Sequence, residues 1–224
     1  MTRIVILIAS LLLTATHAVA ADCGAYAAAG VDWSGCSKEK LMLGGENLAG
    51  ANLTGAFLSG TGFEEVNLSH AILDLAEFNR ASFKGANLSN ASLEKASGSR
   101  VDFEGANLSG ARLINIDLTR GNFTGAMLVG ADLSKGDFTR CEFRDADHSG
   151  ASLKLSSLAR SSLTGAKLTG ANFTDTYLYR TNIAGADLSA VTGLQQDQLD
   201  SACGDQQTKL PAGLTASHRW PCEE

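Results

Sequence analysis

The chain has 224 residues, 24 glycines, two prolines and a formal net charge of −6. This length is ample for one hydrophobic core, and the acidic balance excludes the basic footprint expected of a nucleic-acid-binding protein. The sequence contains no phosphate-binding loop, Cys/His metal cluster or nucleophile motif, so we expect no enzymatic activity and no cofactor. An enzyme of unrecognised type is the weakest alternative.

Residues 1–20 predict a secretory signal peptide. Arg3 supplies the positive charge, and residues 4–13 form an apolar run that is too short to span a bilayer. Ala18-Val19-Ala20 has the small-x-small pattern of a cleavage site. We therefore expect residues 1–20 to be removed, leaving an exported, periplasmic or secreted protein without membrane attachment. An uncleaved anchor is the alternative.

Residues 21–42 are predicted to form an N-terminal cap. The segment 31–35 resembles a degenerate repeat unit with Trp33 at its centre. Such a cap would cover the unpaired backbone N–H and C=O groups at the first repeat, which otherwise favour end-to-end association between molecules. We expect a monomer or an end-to-end dimer.

From residue 43 to residue 193, the chain is a succession of pentapeptides without an insertion. Of the 31 central positions, 28 hold Leu, Phe or Ile, and the exceptions are Gly98, His148 and Gly193. The residue two places earlier is Ala in 17 of the 31 units. Neither the 3.6-residue period of a helix nor the alternation of a strand fits this pattern. We expect one large and one small side chain of each unit to point inward.

A second, longer period of four pentapeptides lies on top of the first. One column of central residues contains five successive Phe residues, in the order Leu43, Phe63, Phe83, Phe103, Phe123, Phe143, Leu163, Ile183. The spacing predicts a coil of four repeat units whose central side chains stack along the axis.

The pattern resembles the pentapeptide-repeat family, whose consensus unit is Ala, Asp or Asn, Leu and two variable residues. The resemblance implies an all-β fold, a right-handed quadrilateral parallel β-helix of about 7–8 coils over residues 43–193. Some members of that family mimic duplex DNA and interact with topoisomerases, which gives an alternative function. Export and a column of arginines weigh against that alternative.

Residues 194–224 are predicted to form a C-terminal cap with a short helix over residues 194–202. The tail resembles the terminal segment of exported bacterial pentapeptide-repeat proteins, with its Cys-Gly-Asp, Leu-Pro and Trp-Pro-Cys sequences. This resemblance implies that Leu210 and Trp220 cover the last coil. Tyr177 and Tyr179 are expected to pack against the cap, with a partner contact as the alternative.

The five cysteines divide by position. Cys23 and Cys36 precede the repeats, and Cys203 and Cys222 follow them. We predict one disulfide at each end, Cys23–Cys36 and Cys203–Cys222, because an exported protein meets an oxidising environment. Cys141 occupies an inward position for a small residue and is expected to be a buried free thiol. The alternative is that all five cysteines are reduced.

Six arginines recur once in every fourth pentapeptide and are expected to form one line along the coil axis: Arg80, Arg100, Arg120, Arg140, Arg160, Arg180. One hypothesis is an anion-binding stripe for an acidic polymer or an acidic protein, whose identity the sequence does not give. The alternative is a self-neutralised ladder. Its carboxylates would be Glu77, Asp117 and Asp137 on the same side of the coil, and Asp102 and Glu142 on the next side.

Two central positions depart from the repeat. His148 is expected to be a core imidazole bonded to the backbone, and a metal ligand together with Cys141 is the alternative. Gly98 is expected to leave a gap or a bulge between Phe78 and Leu118.

Overall fold

The structure is a computed structural model that describes residues 21–218 and 220–221. The predicted signal peptide, residues 1–20, lies outside the described residues. Parallel bridges join residues four pentapeptides apart, from Asp32–Asn52 to Asn172–Thr192. Because this offset stays constant, one coil consumes four pentapeptides, as the sequence period predicts.

Regular secondary structure is sparse because each side of the coil is short. Strands β1 (Ser97–Ser99) and β2 (Asp117–Thr119) pair in parallel, with Gly98 opposite Leu118. Helix α1 (Gln196–Ser201) follows the last complete coil. Elsewhere in the described chain, neighbouring coils meet through single bridges.

A four-residue turn forms each corner of the coil. In one example, the Ala51 amide donates to the Leu48 carbonyl at 3.0 Å, and Gly50 has a φ of 65°. A positive φ at the third turn position favours glycine, since a Cβ atom crowds the backbone there. The two residues after each central residue therefore face solvent, while the backbone turns toward the next side.

The core is a continuous column of large central side chains packed beside small ones. The rings of the Phe column lie 4.7–4.9 Å apart with planes within 19° of parallel, at Phe63, Phe83, Phe103, Phe123, Phe143. This spacing equals the distance between hydrogen-bonded strands. The predicted stack along the axis is therefore present.

Gly98 does not create a gap or a bulge, so that expectation is wrong. Strand β1 is paired at all three of its residues. A Cβ atom at Gly98 would lie 2.7 Å from the Phe78 ring and 2.7 Å from a Val101 methyl group. The missing side chain makes room for the Phe78 ring, which fills the space that a Leu would occupy.

At the N-terminal end, the bridge ladder already begins at Asp32, inside the segment that the sequence assigns to the cap. Trp33 is buried at the centre of its unit, and its Nε1 donates to the Ala25 carbonyl at 3.2 Å. The Cys23–Cys36 disulfide is present, with Cα atoms 5.4 Å apart. The segment before residue 32 is thus fastened onto the first coil.

At the C-terminal end, α1 replaces one side of a coil. The Gln198 side-chain amide donates to the carbonyls of Phe173 and Thr176 at 2.9 and 2.7 Å, taking the place of a strand. The ladder then resumes at Asn182–Cys203.

The Trp220 Nε1 donates to the Ala202 carbonyl at 2.9 Å, and Leu210 and Trp220 pack against the core. Within the described residues, no helix combines the length and the apolarity that a membrane span requires. Cys222 lies outside the described residues, so the Cys203–Cys222 bridge stays a prediction.

Candidate anion-binding stripe

The six arginines occupy the same corner in successive coils, and all are exposed. We call them the arginine stripe: Arg80, Arg100, Arg120, Arg140, Arg160, Arg180. All six have left-handed backbone conformations, with φ between 54° and 62°. The amide of each is used in the backbone ladder, as in the 3.0 Å bond from Arg120 to the Thr139 carbonyl. The guanidinium groups are therefore the donors that remain for an anion.

The backbone conformation makes arginine an unfavourable choice at this corner. A side chain in the left-handed region costs roughly 1–2 kcal/mol relative to the right-handed region. The corner that follows the Phe column mostly uses glycine for the same turn, at Gly45, Gly85, Gly105, Gly125, Gly165, Gly185. Stability alone would favour glycine in the stripe as well.

The arginines of the stripe differ from other surface cations in their ion pairs. None of its arginines forms an ion pair with a carboxylate of the described chain, although other surface cations do. Lys84 lies 3.0 Å from Glu104, and Arg112 pairs with Glu94. Direct ion pairs of the kind that a self-neutralised ladder would contain are therefore absent from residues 21–218 and 220–221.

Two of the carboxylates proposed as neutralising partners, Asp137 and Asp102, are engaged locally. Asp137 accepts from the amide and the hydroxyl of Thr139, at 2.9 and 2.5 Å. Asp102 accepts from the Asn122 side-chain amide at 3.0 Å. A short acidic side chain at this position of the repeat turns toward its own loop, because the backbone amide two residues later is a close donor.

Two shallow depressions lie along the stripe. The first has a volume of about 400 Å³ and is lined by Ser99, Arg100, Thr119, Arg120, Thr139, Arg140. The second, of about 520 Å³, is lined mainly by Glu142, Arg144, Arg160, Ser162, Arg180, Asn182. Guanidinium groups with adjacent hydroxyl and amide donors can bind carboxylate or phosphate oxygens.

Sequence reasoning missed part of this surface. Arg144, Ser162 and Asn182 belong to the second depression, and only their positions in the four-pentapeptide period could have placed them beside Arg160. Tyr177 borders the cap, since it lines a depression together with Gln195 and Gln198, but Tyr177 and Tyr179 remain 56% and 42% exposed.

His148 is fully buried, but neither of its ring nitrogens has a hydrogen-bond partner. The expected bond to the backbone is therefore absent, because the ring projects inward and meets Phe143 edge-on at 5.0 Å. Burial lowers the pKa of His148 from 6.5 to about 4. The Ala146 backbone, which is close but outside hydrogen-bond geometry, and the Asp147 charge oppose this shift more weakly. The imidazole is thus a neutral polar group inside an apolar column.

Cys141 is the buried free thiol that the sequence predicts. Its Sγ donates to the Leu118 carbonyl at 2.9 Å and accepts from the Gly121 amide at 3.2 Å. Burial raises the pKa of the Cys141 thiol to about 12. No three His, Cys, Asp or Glu side chains in the described chain are grouped as metal ligands, so the alternative of a metal bound by Cys141 and His148 lacks a third ligand.

We predict that His148→Leu increases stability and weakens its dependence on acid. The unfolded state, with a pKa near 6.5, binds the proton more readily than the folded state, with a pKa of about 4. The contribution of neutral His148 is therefore complete above pH 6.5 and is lost as pH falls toward 4. Between pH 7.5 and 4.5 this loss is about 2–3 kcal/mol.

Urea unfolding at these two pH values measures the effect, with the exposed His70→Gln as the matched control. His148→Leu should be at least as stable as the parent at pH 7.5 and should lose less stability at pH 4.5. A variant that is clearly less stable than the parent at pH 7.5 would show that the imidazole makes a favourable bond.

The continuous ladder, four-sided coil and apolar interior define the chain as a parallel β-solenoid. A family model for pentapeptide repeats matches residues 43–78, 63–97, 99–134, 137–175 and 156–192, which together span more than half of the chain. The chain belongs to the pentapeptide-repeat family, and its fold is the right-handed quadrilateral β-helix of that family.

Two solved structures illustrate the likeness. Full-length QnrB1, a plasmid-mediated fluoroquinolone resistance protein, is 21% identical, with a TM-score of 0.61 over 81% of this chain and 91% of that one. HetL, a pentapeptide repeat protein involved in heterocyst differentiation regulation in the cyanobacterium Nostoc sp. strain PCC 7120, is 23% identical, with a TM-score of 0.47 over 83% and 86%. At this identity the likeness to QnrB1 concerns the fold alone. No curated protein matches the sequence.

Proposed function

We propose that this protein is an exported, non-enzymatic binding module whose arginine stripe binds an acidic polymer or an acidic protein surface. The observation that supports the proposal most strongly is that six exposed arginines are aligned at one corner of successive coils without an ion pair in the described chain. A repeat without inserted loops also favours binding over catalysis, since active sites usually lie on loops carried by a scaffold.

The geometry of the stripe favours an extended anion. Successive coils are about 4.8 Å apart, so five intervals give a charged line of about 24 Å. Neighbouring guanidinium groups at that spacing repel each other by about 0.8 kcal/mol per pair in water. A ligand that places carboxylates or phosphates along the line relieves this repulsion. The ladder fixes the backbone beforehand, which reduces the entropy lost on binding.

The resistance role of QnrB1 is not part of this proposal. A protein that imitates duplex DNA needs a negatively charged binding surface, whereas the most regular charged feature of this chain is positive. Binding to purified gyrase, retained after the stripe is removed, would reverse this preference.

Paired glycine substitutions test the stripe. Arg100→Gly with Arg140→Gly should lower the affinity for poly-L-aspartate at least about tenfold, since two charge-assisted contacts are lost. The free energy of unfolding should not fall, because glycine relieves backbone strain at these corners. Fluorescence titration measures the affinity, and urea unfolding measures the stability.

The matched control is Lys95→Gly with Lys135→Gly. These lysines are also exposed, are also two coils apart and have φ values of 55° and 60°, but they lie at a different corner. The control removes the same charge from the same backbone conformation and should leave the affinity within about twofold of the parent. Equal losses in the two variants, or lower stability of the arginine variant with unchanged affinity, would contradict the proposal.

Export is the second part of the proposal. It is supported by the signal-like sequence of residues 1–20 and by the Cys23–Cys36 disulfide, which is typical of an oxidising compartment. After expression of the full chain in a bacterium, we expect a periplasmic protein whose sequence begins at Ala21. Its mass should rise by about 4 Da on reduction if the Cys203–Cys222 bridge also forms. A cytoplasmic product that retains residues 1–20 would contradict export.

A further inference from the structure

We propose that the C-terminal end of the arginine stripe binds a uronic acid residue of an acidic polysaccharide, with the sugar ring on the Tyr177–Tyr179 pair and the carboxylate on Arg160 and Arg180. This inference rests on the proposed function and names the class of its ligand. It is carried by three features of the last coils: an exposed aromatic pair, two adjacent arginines of the stripe and the local loss of carboxylates.

The aromatic pair is unusual for this surface. Tyr177 and Tyr179 project from the same side of one coil, with ring centroids 6.1 Å apart and planes within 12° of parallel. They are 56% and 42% exposed, although Tyr177 also borders the cap helix α1. The apolar C–H face of a pyranose ring stacks on such aromatic faces, whereas the phenol hydroxyl groups remain available to the sugar hydroxyls.

Two arginines of the stripe adjoin this pair. Arg180 directly follows Tyr179 in the chain, and the Arg160 amide donates to the Tyr179 carbonyl at 2.8 Å. The two guanidinium groups therefore start from successive coils beside the tyrosines. A carboxylate on a stacked sugar ring would lie within reach of both, in the arrangement that arginine favours for carboxylate recognition.

Some positions beside the stripe lose their acidic residues at this end, although Glu142 lines the depression on the arginine side, and Asp175 and Asp197 lie around another depression with Tyr177. On the tyrosine side, the residue before the central position is Asp117 and Asp137 in two middle coils. In the last two coils the same position holds Ser157 and Tyr177. The repulsion that would oppose an anion in the middle coils is therefore weaker here.

On the opposite side of the corner, an acidic residue is also replaced by uncharged residues in the last coils. Glu142 is followed at the equivalent position by Ser162 and then Asn182, and these residues line the depression of about 520 Å³. The Asn182 Oδ1 accepts from the Ala184 amide at 2.9 Å, which leaves the side-chain NH₂ to donate to a ligand. Neither tyrosine lines this shallow depression, so its hydroxyl and amide donors are placed for a neighbouring sugar of the same polymer rather than for the stacked ring.

Other anions fit these features less well. An acidic peptide has carboxylates but no ring face to cover the tyrosines. A single-stranded nucleic acid can stack its bases on aromatic side chains, but its charge lies on backbone phosphates and not on the stacking ring. A uronic acid combines one carboxylate with one stacking face, which matches both parts of the surface.

Calorimetric titration of the full mature protein with three probes tests the inference: tetragalacturonate, the neutral galactotetraose and tetra-aspartate. We expect tetragalacturonate to bind more tightly than the other two. Tyr177→Ser with Tyr179→Ser should reduce the tetragalacturonate affinity at least about fivefold and leave tetra-aspartate binding unchanged. The control is Tyr26→Ser, which removes a 93% exposed ring at the opposite end of the molecule.

The outcomes separate this inference from the proposed function. Unchanged tetragalacturonate binding in the double tyrosine variant would overturn the sugar subsite, while the arginine variant could still show that the stripe binds anions. Absence of binding to either anion by the parent protein would overturn both. Tighter binding of an oligodeoxythymidylate, lost in the tyrosine variant, would assign the aromatic pair to nucleic acid and would also overturn the inference.

Discussion

The parallel hydrogen-bond ladder, with its constant offset of four pentapeptides, is the constraint on which the rest of this protein depends. It replaces long strands and helices, because each coil satisfies its backbone groups through the coils on either side. It also aligns residues that are four pentapeptides apart along the coil axis. The Phe column inside and the arginine stripe outside are two results of the same offset, and one cannot be shifted without the other.

Stability and binding make opposite demands at the corners of the coil. The left-handed turn position is easiest for glycine, and the corner after the Phe column mostly has it, as at Gly85, Gly105 and Gly125. At the stripe, arginine adds backbone strain and repulsion between like charges. Packing between neighbouring coils offsets this strain and this repulsion, because every coil is stabilised by the coils on either side. A rigid rod can therefore display a charged line that an isolated turn could not maintain.

The sequence predicts whatever the period controls. The coil length, the Phe stack and the buried Cys141 follow from position alone, and the Cys23–Cys36 bridge follows from position together with the predicted export. The repeat pattern does not predict contacts that depend on individual neighbouring side chains. The Phe78 ring occupies the space beside Gly98, and the ring nitrogens of His148 have no hydrogen-bond partner. The Asp137 carboxylate accepts from Thr139 instead of pairing with an arginine. These outcomes depend on side-chain directions and packing that a repeat pattern does not contain.

Two insertions test the four-pentapeptide coil most directly. Duplication of residues 101–120 adds a complete coil, so Phe rings and arginines stay aligned. Duplication of residues 101–105 preserves the pentapeptide pattern but rotates everything downstream by one side of the coil. We predict that the longer insertion leaves the free energy of unfolding at least equal to that of the parent, whereas the shorter one lowers it by at least about 2 kcal/mol. Equal stability of the two variants, or greater stability of the shorter insertion, would contradict the account.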